Sequence, residues 1–586
     1  MQKTLSGRTS ASPVAVPRPS LFNRKTGWVL LFIAGVIWAL LQAGLLQHDF
    51  VNPGGWERVR RFLAAGLNPD LSPDFLRLTL DATITTLAFA VCGTFFSLIF
   101  GFVAGIFASE VWWQSILPGR VGGRSIYRAP WLAVRSVLAF LRAIHEIIWG
   151  LFFISIIGLD PLSAVLAIAI PFGAVTGKVF SEILDEMPRQ PYLVLRNSGV
   201  PPTLALTYTL VPQAFLDALS YAFYRFECSI RAAAVLGIIG AGGLGHEIFL
   251  SLQSLRYEQI WTLFLALFAL NGLTDLWSGL LRRRLGAKLS CSGADCVDID
   301  SPMSGTATLQ LYRYDRVVRA SLIIAALLIP FSFWYIQPNF GKLFSERTLL
   351  HLGEVARWAF PPDFSQLPLS EWLELSAVTV AMSLLAIAGA GLLALVLCFP
   401  SAHNFLLPGG LLVPSTAGLF HRTLGLAVLL IARAILLVAR SIPPPVWALL
   451  FIFVLFPGIL PGAAALGMYT LGILGRLMAE VVENLDDRPL TALKALGARG
   501  GDIFTYGILP LSSPRFLAYG LYRWEEAIRA TVVVGLVGAG GLGHLLTEQL
   551  SSFDYQGVFT TLIVFVTLIF LVDQISAAVR RTFREN

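Results

Sequence analysis

The chain has 586 residues, 56% of them hydrophobic and only 13% charged, with a net charge of +7 and a mean hydropathy of +0.71. A soluble chain of this length carries about twice that share of charge, so composition excludes a soluble globular protein and points to a polytopic helical membrane protein. The basic excess carries no message about nucleic acid, because basic residues in membrane proteins mark the cytoplasmic side.

Residues 1–27 contain Lys3, Arg8, Arg18, Arg24 and Lys25 with no acid, which predicts a cytoplasmic N-terminal tail. Trp28 to Leu46 is apolar, long enough to cross, and lacks a small-residue cleavage site, so it reads as a retained helix. An outer segment, 47–78, balances its charges. A second helix is expected near Leu80 to Ala108, returning to an inner loop with Arg120, Arg124 and Arg128. A third helix near Val137 to Leu159 turns at Gly158-Leu159-Asp160-Pro161 into a fourth, ending near Ile183. The polar stretch 184–212 precedes a fifth helix, about Ala214 to Ile239. A sixth, Ile260 to Leu281, exits into Arg282-Arg283-Arg284. Each crossing agrees with the charge bias.

Residues 285–318 read as an inner linker, rich in Ser, Gly and Asp. Its Cys291 and Cys296 have no third or fourth ligand at useful spacing, and the five cysteines of the chain form no disulfide framework. The plan then repeats. Helices are expected near Ala320–Ile336, Leu373–Leu397, Arg433–Phe456 and Pro461–Val482. A polar loop at 483–511 and two more helices follow, ending at Arg580-Arg581. Segments 129–136 and 423–432 are candidates for extra interfacial helices.

The repeat is in register. Tyr224-Arg225-Phe226-Glu227 through Gly240-Ala241-Gly242-Gly243-Leu244-Gly245-His246 returns as Tyr522-Arg523-Trp524-Glu525 through Gly538-Ala539-Gly540-Gly541-Leu542-Gly543-His544. The offset of 298 residues also carries Arg142 to Arg440, Lys178 to Arg476, Glu182 to Glu480, Gly199 to Gly497, Pro212 to Pro510 and Asp275 to Asp573. A tandem duplication makes each half a functional unit. The predicted fold is all-α, with about 12 transmembrane helices in two parallel repeats of about six. The units are 28–284 and 319–586.

Two nucleotide signatures fail on context. Gly240-x-Gly242-x-x-Gly245 matches a dinucleotide fingerprint in form, but it lies between membrane spans and lacks the soluble strand-turn-helix. A glycine turn where helices pack closely, or where a gate moves, fits Gly240, Gly242, Gly243, Gly245, Gly538, Gly540, Gly541 and Gly543 better. Gly173-x-x-x-Gly177-Lys178 is one residue short of a phosphate loop and lacks its Ser or Thr. The chain therefore reads as a non-enzyme.

The polar loops carry Gly199 with Pro212 thirteen positions later, and Gly497 with Pro510. A short amphipathic helix, a glycine turn and a second helix closed by proline would form a cytoplasmic knob. A glycine followed after thirteen residues by proline, between the third- and second-last spans, resembles the coupling loop of ABC importer permeases. The wider pattern resembles the phosphonate importer permease family: Arg142-Ala143-Ile144-x-Glu146, Ser181-Glu182, Leu521-Tyr522-Arg523-Trp524-Glu525, Val537 through Gly543, and Phe360-Pro361-Pro362-Asp363-Phe364-Ser365. Members usually carry one such unit and pair as two chains; this chain looks like both fused. At the coupling loops it reads Leu193-Val194-Leu195 and Thr491-Ala492-Leu493, where the superfamily favours Glu-Ala-Ala.

The resemblance implies two copies of an ABC ATPase docked on the coupling loops, an external substrate-binding protein, and residence in the cytoplasmic membrane of a bacterium with both termini cytoplasmic. It implies no cofactor in this chain, ATP and magnesium being held by the ATPase. The implied cargo is a small oxyanion, phosphonate or a related phosphorus compound. A secondary carrier or channel with its own ion coupling, or an ABC permease for another substrate, is the alternative.

Charges within spans must face protein or water, since each costs roughly 2.5–3.5 kcal/mol at the bilayer centre. Arg142, His145 and Glu146 fall at helical spacing on one face, and Glu227/Arg231 and Glu525/Arg529 form i, i+4 pairs that lock helices together. Arg142, Arg225, Arg440 and Arg523, with Glu146, are candidates for an anion path, because guanidinium suits phosphonate oxygens. The second half has Pro443 and Pro444 where the first has its acid, so Arg440 is expected to carry the less compensated charge.

Overall fold

The computed structural model describes residues 23–44, 52, 54–117, 120–121, 124–125, 127–286, 316–413 and 418–584. Cys291 and Cys296 lie outside them. Secondary structure over the described residues is helical except for a two-residue antiparallel ladder, Arg120–Val121 with Arg124–Ser125.

Among the described residues, nine helices are long and apolar enough to cross a membrane, and two bent pairs raise the count to eleven. Leu509–Gly535 makes a twelfth span of 27 residues, about 40 Å long. It is less apolar than the others because it carries Arg515, Arg523, Glu525, Glu526 and Arg529. Each half thus supplies six.

Three sequence expectations change. The third helix is not continuous: Arg128–Ala143 and Glu146–Ile157 meet at 85°. Ile144 and His145 are extended there, and the His145 ring accepts from the Ile147 N–H at 3.3 Å, capping the second piece. Arg142 and Glu146 therefore do not share a helix face. The second half breaks at the same place by other means, Leu419–Ser441 giving way to Pro444–Ile452 at the proline pair. The candidate interfacial segments 129–136 and 423–432 are parts of these long helices. Finally, Pro212 closes nothing, since it lies inside Pro202–Leu236. Pro510 sits in the first turn of Leu509–Gly535, entered through a wide π turn at Phe504–Ile508.

Elements beyond the sequence reading fill the connecting segments. Gly55–Ala65 and Glu346–Ala359 are short helices before the second span of each half. Leu244–Gln253 and Gly541–Ser551 follow the glycine clusters, the first bent 55° from the helix before it.

The two halves exchange their first helices. Arg24–Gln42 packs on Leu369–Ser401 and Tyr555–Arg584 of the other half, where the Trp28 indole donates to the Thr582 hydroxyl at 3.3 Å. Reciprocally, Arg316–Ile336 packs on Pro73–Ala108, with Phe333 edge-on to Phe95 and Phe96. Trp277 donates to Ser321 at 2.9 Å. Each unit is completed by a helix of its neighbour.

Within the first half, Pro73–Ala108 and Pro161–Glu186 approach closely along glycines. Gly101-x-x-x-Gly105 faces Gly173-x-x-x-Gly177: a Cβ on Gly177 would lie 3.0 Å from the Ala104 Cβ, and one on Gly173 would overlap the Phe100 ring. The stretch that imitates a phosphate loop is a helix-packing stripe. Gly173→Leu should overpack this contact at a cost of about 1–3 kcal/mol. A melting temperature in detergent equal to that of the unsubstituted protein would refute the packing role.

Candidate functional site

The continuous helix Pro202–Leu236 places Tyr221, Tyr224, Arg225 and Cys228 on one face by its 3.6-residue period. Its counterpart Leu509–Gly535 places Tyr522, Arg523, Glu526 and Arg529 likewise. The two faces meet between the halves: Tyr522 lies within electrostatic range of Tyr224 and Arg225, and Glu526 within range of Arg225, Arg523 and His145. Arg225 is buried with its guanidinium 4.1 Å from the centre of the Phe172 ring, an attraction that supports a cation without neutralising it. Its Nε and that of Arg523 are buried with no hydrogen-bond partner among the described residues. Neither arginine makes a direct ion pair among the described residues, so two cations stand near the junction of the halves with Glu526 only within electrostatic range.

Around them lies a set of ion pairs, partly as expected. Glu227 and Arg231 pair at 3.3 Å, both buried. The expected Glu525/Arg529 pair does not form. Arg529 pairs with Glu526 at 3.0 Å and donates to the backbone carbonyls of Glu525 and Arg142, while Glu525 pairs with Arg580 on the last helix. The cause is one substitution: the first half has Cys228 where the second has Glu526, and Arg231 meets the Cys228 sulfur at 3.4 Å.

Arg440 overturns its expectation too. Its guanidinium reaches across the halves to Asp275 at 2.7 Å and to Glu227 at 3.8 Å. Arg142 makes no hydrogen bond or ion pair through its side chain among the described residues. Asp573, the counterpart of Asp275, lies only within electrostatic range of Arg142, and its Oδ1 is buried without a hydrogen-bond partner among the described residues. Glu146 is 3.3 Å from the His145 ring.

The glycine clusters are tight turns packed against neighbouring helices. Gly240 and Gly242 have φ of +97° and +95°, and Gly538 and Gly540 have +82° and +84°, conformations that glycine adopts without strain. The turns are fastened by the Leu244 N–H on Thr86 Oγ1 at 2.8 Å and the Leu542 N–H on Thr379 Oγ1 at 3.0 Å. Gly243 and Gly541 leave room for those threonines, and Gly245 and Gly543 press against the backbones at Ala234 and Val532. Val235–Leu236 is helical, not the strand of a nucleotide fold. Nearby, Lys342 of the second half bonds Asp160 of the first at 2.7 Å. Burial opposes charge on Asp160, but the Lys342 hydrogen bond and the Leu162 N–H outweigh it and hold the carboxyl below the usual aspartate range.

The segments expected to couple to an ATPase are short helices, Gln190–Asn197 and Asp487–Ala495, each ended by a glycine at φ +84° (Gly199) or +82° (Gly497). Leu193, Val194, Tyr208, Leu496 and Tyr506 are exposed around them.

Sequence reasoning missed Glu526, Asp275 and the tyrosines Tyr221, Tyr224 and Tyr522. Helical spacing from Arg225 and Arg523 would have found all but Asp275.

Residues 101–287 and 410–585, more than half of the chain, match one family, described as the binding-protein-dependent transport system inner membrane component. The chain is 24% identical over 452 residues to the phosphate-import permease protein PhnE of Mycolicibacterium smegmatis, covering 76% of this chain and 77% of that protein. It is 33% identical over 255 residues to the phosphite transport system permease protein PtxC of Stutzerimonas stutzeri, covering 43% of this chain and 84% of that protein.

Proposed function

Since this chain belongs to the family of binding-protein-dependent transport system inner membrane components, we propose that it supplies both membrane halves of an ABC importer for a small phosphorus oxyanion. The observation that carries this reading is the double match, one family unit in each half, on a chain whose halves carry the same arginine, Arg225 and Arg523, at one constant offset. The names of the relatives supply the substrate class: phosphate for one and phosphite for the other. The Arg225 guanidinium, held by the Phe172 face rather than by a carboxylate, keeps its charge available to a passing anion.

The chain performs no catalysis in this reading. Two ATPase subunits, which hold ATP and magnesium, dock on Gln190–Asn197 and Asp487–Ala495. An external binding protein delivers the anion to the opposite face, where the glycine turns at 240–243 and 538–541 form the gate. The units run 28–284 and 319–586 with the linker 285–318 between them, in the cytoplasmic membrane of a bacterium with both termini cytoplasmic. Family membership favours this over a self-powered carrier, whose function needs no docking surface for a motor.

Uptake by proteoliposomes tests the reading. Radiolabelled phosphate, phosphite or methylphosphonate should enter only when the chain, its ATPase, the binding protein and ATP are all present. Uptake driven by an ion gradient through the chain alone would overturn it.

A further inference from the structure

A cleft between Arg128–Ala143 and Pro161–Glu186 in the first half is lined by Arg135, Ser136, Ala139, Arg142, Lys178 and Ser181. Its volume is about 260 Å³. Three cations line it, and their carboxylates are distant or otherwise engaged. Lys178 and Glu182 are 3.7 Å apart and both half-exposed, a contact of little strength. Arg135 is 3.6 Å from Asp185, but that carboxylate already accepts from the Ser109 hydroxyl and the N–H groups of Glu110 and Val111. Arg142 has no partner among the described residues, and the Ser136 hydroxyl makes no hydrogen bond among them.

The second half is an internal control, because the equivalent cations there sit closer to their acids. Arg433 pairs with Glu483 at 2.6 Å, Arg476 with Glu480 at 3.0 Å, and Arg440 with Asp275 at 2.7 Å. Ser136, Ala139 and Ser181 correspond to Ala434, Leu437 and Ala479. Leu437 reaches toward the backbone of Gly272. From the second half to the first the number of charges is unchanged, but the cations sit farther from their acids, and Ser136, Ala139 and Ser181 add two hydroxyls and remove one large side chain.

We propose that this cleft is a site for a tetrahedral phosphorus oxyanion, bound by Arg142, Lys178 and Arg135 with Ser136 as hydroxyl donor, and that only the first half has it. Two sources share this chemistry: free phosphate or phosphonate, and the phosphodiester of an anionic lipid. Lys178 is eight residues from the end of its helix, roughly 12 Å, a depth either source reaches. Arg142 then has alternative partners, the anion in the cleft or Asp573 across the halves, so occupancy bears on how the halves meet. The free-anion source rests on the proposed function; the site itself does not.

The test uses the full chain in nanodiscs and radiolabelled inorganic phosphate as probe. In phosphatidylcholine discs, phosphate should bind saturably, and Ser136→Ala/Ala139→Leu, which installs the second-half residues, should weaken binding at least tenfold at unchanged melting temperature. Lys178→Gln, at a half-exposed position, should weaken it likewise even if the double variant folds poorly. Displacement of phosphate by phosphatidylglycerol discs would identify the lipid phosphodiester as occupant, and persistence would identify the free anion; either supports the site. Wild-type affinity in the folded variants, or no phosphate binding and no phosphatidylglycerol enrichment in the unsubstituted chain, overturns it. Normal uptake by the cleft variants with unchanged phosphate binding would sink the site and leave the importer reading intact. Phosphate binding in the cleft without uptake by the complete importer would do the reverse.

Discussion

Arg440→Ala should fold poorly, while Arg142→Ala should fold well and transport poorly. Arg440 is buried and neutralises Asp275 directly and Glu227 at longer range. Removing it takes the 2.7 Å partner from Asp275 and leaves Glu227 paired with Arg231, and breaking such a buried pair costs about 3–5 kcal/mol. The pair also ties the second half to the first, so the loss falls on the junction itself. Arg142 breaks no ion pair when truncated, and its cost is the packing of one aliphatic stem. Uptake by Arg142→Ala should fall at least tenfold, because an uncompensated cation is removed from the anion's surroundings. Melting temperature and uptake of both variants check this. Arg440→Ala with normal stability and lost transport would reinstate Arg440 as an anion contact and contradict its structural role.

Gly497→Trp should uncouple the importer without unfolding it. The glycine has φ +82° and nothing within 4 Å of a notional Cβ, so a side chain meets open space and pays only backbone strain, about 1–2 kcal/mol. The strain and bulk fall at the end of Asp487–Ala495, beside the exposed Leu496, where the proposed ATPase contact lies. Binding-protein-stimulated ATP hydrolysis and uptake should both drop at least tenfold with the chain still present in the membrane. Gly199→Trp should act in the same direction. Normal transport by Gly497→Trp would remove this segment from the coupling route.

Much of this architecture was legible in the sequence because it depends on local pattern. Hydropathy located the spans, and the constant offset from 142 to 275 exposed the duplication. The glycine clusters declared themselves by density, and Gly199 and Gly497 by their spacing to proline. The break at Ile144 and His145 was hidden because apolar residues run on across it and a histidine cap leaves no strong signal. Its counterpart at Pro443 and Pro444 was visible in the letters but was read for charge rather than for backbone geometry. Ion-pair choice was the least legible. Glu525 has Arg529 at the ideal local spacing, yet its partner is Arg580, 55 residues away. Arg440 has no local acid, yet it is well compensated from the other half. Tertiary proximity decided both, and no periodicity reports it. The exchanged first helices belong to the same class: Arg24–Gln42 has an apolar surface all round, and nothing in it names Leu369–Ser401 as its neighbour.

That exchange bears on the central claim. Each unit is completed by a helix from the other, so one chain holds a closed pair with both coupling segments and the arginines of both halves. Native mass spectrometry of the complex purified with its ATPase tests this most directly. The account predicts one copy of this chain with two ATPase subunits. A complex containing two copies of the chain would contradict it.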